Sequence, residues 1–181
     1  MENFDNIDIR TIEPRDIETL VKQFTFPWAD AATTRAKWQH YYKQQQAGER
    51  LACVIEKDNK IVGYGSLVVE SSYPPFAHDD VFEIHDIWIN AAEREQGLGA
   101  LLITYLESVA EDNQASHIGM GVGLYADYGA AQRLYMRLGY MPDGAGITYK
   151  NAPVVPGKQY PVDDHLLLWL VKELSPKESE E

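Results

Sequence analysis

The chain is poor in cysteine: Cys53 is the only one in 181 residues. That excludes an intramolecular disulfide and a cysteine-based zinc cluster. Basic residues are scarce too, with 16 Lys and Arg against 28 Asp and Glu and a net charge of −12. Non-specific nucleic-acid binding relies on clustered cations, so no nucleic-acid partner is expected. No apolar run is long enough to cross a bilayer. The start, Met1-Glu2-Asn3-Phe4-Asp5, is polar and acidic and reads as neither a secretory signal nor an organelle presequence. These absences predict a cytoplasmic protein without a membrane partner. Two nucleotide signatures are also missing. A dinucleotide loop needs a third glycine where Leu102 stands, and the chain has no Gly-Lys-Ser/Thr of a P-loop.

The length suits one domain with a real core. Ile7 to Thr11 alternates as a strand does, and Pro14-Arg15-Asp16 starts a helix that turns Ile17, Leu20, Val21 and Phe24 to one side. A second helix is expected from Ala31 to Gln46, ended by Gly48. Leu51–Glu56 and Lys60–Glu70 read as strands joined by a turn, and Ser71–Asp80 as a loop around Pro74-Pro75. A strand over Val81–Asn90 leads to a helix over Gln96–Glu111, then a strand over His117–Tyr125 and a helix over Gly129–Leu138. Pro142–Gly146 reads as turn, Asn151–Asp164 as a proline-stiffened loop, and Leu166–Val171 as the last strand. This order lacks the strict βαβ alternation of a doubly wound fold. The tail from Ser175 to Glu181 is charged and expected to be frayed.

What stands out is Ile84-His85-Asp86-Ile87-Trp88-Ile89-Asn90, followed at once by Arg94-Glu95-Gln96-Gly97-Leu98-Gly99-Ala100. An apolar strand runs into a polar turn, and glycines open a helix. Free backbone N–H groups at a positive helix end suit a phosphate. Alone the pattern is weak, because many helices begin with a glycine for packing. A second motif changes that: Leu134-Tyr135-Met136-Arg137-Leu138-Gly139-Tyr140 closes the next helix.

With both motifs in this order, the chain resembles the GNAT superfamily of acyl-CoA-dependent N-acyltransferases, and in particular bacterial members of that family. The resemblance runs from about Ile7 to Leu174, its specific part from Glu83 to Tyr140. It implies an α/β fold of the α+β type: residues 1–174 as one GNAT-like domain, with a mixed sheet of about six to seven strands, splayed at the cofactor site, and about four helices. It also implies acetyl-CoA as cosubstrate and no metal. Gln96, Gly97, Leu98, Gly99 and Ala100 would give N–H groups to the CoA pyrophosphate, with Arg94 and Glu95 in the same turn. Backbone groups of Ile87, Trp88 and Ile89 would align the pantetheine arm and the acyl oxygen. Tyr128 stands where many relatives carry an asparagine that holds the pantetheine, and with Gln132 it is a cofactor-side candidate.

The resemblance makes Tyr135 the acid for the departing thiolate; a core tyrosine is the plainer reading. A phenol and a thiol are close enough in pKa for that transfer. Counting back from Arg94, Glu83 matches the strand glutamate that serves as base in histone-type relatives. His85, through water, ranks second and Asp86 third. Strand geometry puts Glu83 and His85 on one face. Cys53 sits in an apolar strand and reads as structural. The implied reaction is acetyl transfer to a primary amine by direct attack in a ternary complex. The acidic composition is compatible with a cationic acceptor, although solubility is the better-supported reading of it. The rivals are a non-catalytic acyl-CoA-binding module and a protein or peptide N-acetyltransferase, and a homodimer is left open.

Overall fold

The structure is a computed structural model and describes residues 6–175. The polar start and most of the charged tail lie outside the described residues. The elements are β1 (Ile7–Thr11), α1 (Ile17–Gln23), α2 (Ala31–Gln46), β2 (Arg50–Lys57), β3 (Lys60–Val68), α3 (Pro74–His78), β4 (Phe82–Ile89), α4 (Leu98–Asp112), β5 (His117–Gly123), α5 (Gly129–Arg137), β6 (Met141–Tyr149), β7 (Ala152–Pro153) and β8 (Leu166–Glu173). The fold is α/β with a mixed sheet. Among the described residues it has eight strands and five helices, one or two strands and one helix more than expected.

Tertiary contacts group the chain into two units. Of the described residues, one takes in those up to Val68 together with Asp86–Tyr105; the other takes Val69–His85 and those from Leu106 on. β4 contributes to both, changing over between His85 and Asp86. In the first unit β1 pairs antiparallel with β2, and β2 with β3. Ala52-Cys53-Val54-Ile55 and Ile61-Val62-Gly63-Tyr64 form continuous buried runs rather than alternating ones, as strands covered on both faces do. Around them Ile12, Leu20, Val21, Phe24, Trp38 and Tyr41 close a core. The start of α2 is fixed by Asp30, whose carboxylate accepts from the Thr33 N–H at 2.7 Å. Thr34, Trp38 and Tyr41 then fall on its buried side at helical spacing.

In the second unit the strand order is β4-β5-β8-β6-β7. β4 and β5 are parallel and register at only two positions, Phe82↔Ile118 and Glu83↔Gly119, although both strands run on. β5–β8 and β8–β6 are antiparallel. Tyr73 stacks on Trp169 at 4.0 Å between centroids, and Phe76 packs edge-on to both rings.

Three expectations fail locally, the first being the loop over Asn151–Asp164, which opens on the short strand β7 paired with the end of β6. Ser71–Asp80 contains a short helix, because Pro74 and Pro75 occupy its first positions, where their fixed φ suits a helix start and no N–H is lost. Pro142–Gly146 lies inside β6 rather than in a turn. Gly144 and Gly146 take φ of +87° and +82° and absorb a register break between Pro142 and Ile147, so β8 pairs on both sides of it.

Candidate active site

In the first unit, the second half of β4 carries Ile87, Trp88 and Ile89, the first two half-buried and the third buried. Asp86, just before them, has a φ of +56°, which breaks the two-residue alternation of the strand. The turn after β4 holds two more left-handed residues, Glu95 (φ +62°) and Gly97 (φ +78°). Alternation of this kind points successive N–H groups to one side and forms an anion-binding concavity. α4 begins at Leu98, and its first N–H groups, from Leu98, Gly99 and Ala100, have no carbonyl a turn earlier to bond. Its apolar side (Leu98, Leu102, Ile103 and Leu106) is buried and anchors the turn. The turn is braced on both flanks. Arg94 donates from Nε to the Ile89 carbonyl at 3.0 Å, and its guanidinium lies 4.9 Å from the Trp88 ring. Lys57, from the end of β2, bonds Glu93 and Gln96, each at 2.7 Å. Lys57 is a residue that sequence reasoning missed, because only the fold brings the β2–β3 turn beside this one.

In the second unit, Glu83 is 6% exposed and accepts from the Ser71 hydroxyl at 2.5 Å. The Ser71 oxygen in turn accepts from the Tyr73 N–H at 3.0 Å. His85, expected on the face of Glu83, is exposed where Glu83 is buried. No local signal marks Ser71. It lies 12 residues before Glu83, and only packing joins them. We expect Ser71→Ala to cost about 1–3 kcal/mol, because a buried carboxylate would lose its donor. Urea unfolding measures this directly, and an unchanged midpoint would show the bond to be idle.

Gln132, on α5, donates to the Gly123 carbonyl at 2.7 Å. The Tyr128 ring lies against Gly123, where an added Cβ would come within 2.4 Å of it. The Tyr128 hydroxyl donates to Asp164 at 2.9 Å, and Tyr125 donates to the same oxygen. Both candidates on this side are therefore already committed to the protein, which ties the loop before β8 to the start of α5. Tyr135 is half-buried, and desolvation pushes its phenol up to about 12. Its ring is 6.4 Å from that of Tyr140, whose hydroxyl donates to Glu107 at 2.8 Å. Lys172 completes that pair at 2.9 Å from the other Glu107 oxygen. Among the described residues, no group of three or more His, Cys, Asp or Glu could hold a metal. No described helix is long and apolar enough to cross a membrane.

A model of the acetyltransferase (GNAT) family matches residues 16–140, and the chain belongs to that family. No match is found among curated proteins. Solved structures share the fold. The ribosomal-protein-S18-alanine N-acetyltransferase from Escherichia coli is 18% identical with a TM-score of 0.63, over 97% of each chain. The paia N-acetyltransferase from Thermoplasma acidophilum, in complex with coenzyme A, is 12% identical with a TM-score of 0.66, covering 92% of this chain and 98% of that one. An acetyltransferase from Salmonella typhimurium that modifies the N-terminal serine of 50S subunit protein L7/L12 is 13% identical, with a TM-score of 0.69 over 94% and 96%.

Proposed function

We propose that the protein moves an acetyl group from acetyl-CoA to a primary amine by direct attack in a ternary complex. The observation that carries this reading is the turn from Arg94 to Ala100, with two left-handed residues opening a buried-sided helix. Such a turn offers a cluster of N–H groups and a positive helix end to a pyrophosphate. Backbone groups of Ile87, Trp88 and Ile89 align the pantetheine and the thioester carbonyl. Glu83 takes the proton of the attacking amine, and Tyr135 gives one to the departing thiolate. Cys53 supports direct attack over an acyl-cysteine route. It is fully buried, and burial pushes its thiol up to about 12, so it supplies no thiolate near neutrality.

Peptide acceptors are a second reading, favoured by similar structures that act on ribosomal proteins. One experiment addresses both. Acetyl-CoA binding is titrated by calorimetry, and CoA release is then followed with a panel of alkylamines and of peptides with free N-termini. Turnover with alkylamines supports the proposal, and turnover confined to peptides moves it to the second reading. Tight binding without turnover on any acceptor would leave a binding module.

A further inference from the structure

Lys37 on α2 does not send its ammonium into open solvent. Its Nζ stands 4.6 Å from the centroid of the Trp38 ring, 4.9 Å from that of Tyr64 and 5.6 Å from that of Tyr41. It also lies 2.9 Å from Asp86 Oδ2, which accepts from the Tyr41 hydroxyl at 3.2 Å. Three aromatic rings and one carboxylate form a socket for an alkylammonium ion. The walls are deep: Trp38 and Tyr64 are each 1% exposed. The charged pair is the open side, with Lys37 and Asp86 side chains 29% and 27% exposed. Asp86 directly precedes Ile87, the first of the backbone positions assigned to the acyl group. The other cation here, Arg50, lies 4.0 Å from the Tyr41 ring but bonds Gln44 and Ser66.

A carboxylate inside an aromatic socket favours the protonated form of whatever amine it holds. A protonated amine has no lone pair and cannot attack a thioester. An ammonium held here is therefore an anchor, and the attacking nitrogen must be a different one. The net charge of −12 suits an acceptor with more than one positive charge.

We propose that Asp86, Trp38, Tyr41 and Tyr64 anchor the non-reacting ammonium of an alkyl diamine acceptor, and that Lys37 fills this socket until the acceptor displaces it. The inference rests on the amine-acetylation reading above and names its substrate class. A tethered lysine competes at high effective concentration, so it lowers the apparent affinity of any free amine. Lys37→Ala removes the competitor at a helix position where alanine is favoured.

The test titrates 1,4-diaminobutane and n-butylamine by calorimetry, with and without coenzyme A, and measures KM for each. In Lys37→Ala the diamine should bind about tenfold tighter, with a matching fall in KM, because an ion–ring and ion–carboxylate site is vacated. Lys37→Arg, which keeps a cation, should show no gain. Asp86→Asn should erase the wild-type preference for diamine over monoamine. A folded Lys37→Ala variant whose diamine affinity is unchanged or weaker overturns the proposal and leaves Lys37 as a structural partner of Asp86. If Lys37→Ala does not fold, Asp86→Asn decides: an undiminished diamine preference overturns the proposal. A wild-type protein that acetylates neither amine counts against the transfer reading alone, since the calorimetric arm still reads the socket.

Discussion

Tyr135→Phe is expected to lower kcat by about 100-fold or more, the usual scale for loss of a positioned acid, with acetyl-CoA affinity within about twofold of wild type. The two rings have the same shape, and only the proton donor is removed. The split between kcat and affinity identifies the role: a packing defect at α5 would weaken binding and lower the melting temperature as well. The pH profile adds a second constraint. Burial holds the Tyr135 phenol at about 12, so it keeps its proton across the working range. The rate should therefore rise with pH as the amine loses its proton, with no alkaline fall from Tyr135 until pH approaches that value. Stability has the same sign. The neutral phenol is favoured by folding, so this contribution is complete below the unfolded pKa of about 10 and is lost as pH rises through the folded value. If Tyr135→Phe turned over at the wild-type rate at every pH, Tyr135 would not be the acid.

Glu83→Gln is expected to lower kcat/KM by about 100-fold, because the base is gone while the site keeps its shape. The substitution is close to isosteric, and a glutamine carbonyl still accepts from Ser71, so the variant should fold. It also removes a buried charge, which leaves little reason for lost stability. Ser71→Ala provides the contrast: it keeps the carboxylate and removes only its donor. A steep rate loss in Glu83→Gln with a mild one in Ser71→Ala assigns proton transfer to Glu83. If Glu83→Gln kept the wild-type rate, the proton would leave by another route, with His85 and water next in order. His85→Ala would then be the variant to measure.

The parts of this protein legible in its sequence are the local ones. Ala31–Gln46 could be read as a helix because Gly48, which ends it, lies in the same stretch of chain; the Asp30 cap and the buried face came only with the structure. The turn from Arg94 to Gly99 was legible for the same reason: strand, glycines and helix follow one another, and backbone conformation there depends on neighbours in sequence. Gly144 and Gly146 show the limit. Their composition signals a turn, but pairing with β8 decides that the same left-handed residues make a break inside a strand.

The sequence by itself determined the elements up to α5 apart from α3, the glycine-opened turn between β4 and α4, and the placement of Tyr135 on its helix. Only the tertiary structure decided what surrounds the candidate groups. Ser71 meets Glu83 across 12 residues, Gln132 meets Gly123 across nine, and Lys37 meets Asp86 across 49. Hydrogen-bonding and ring contacts of this kind act over a few ångströms, and no periodicity in the chain records which distant side chains packing will bring within that range.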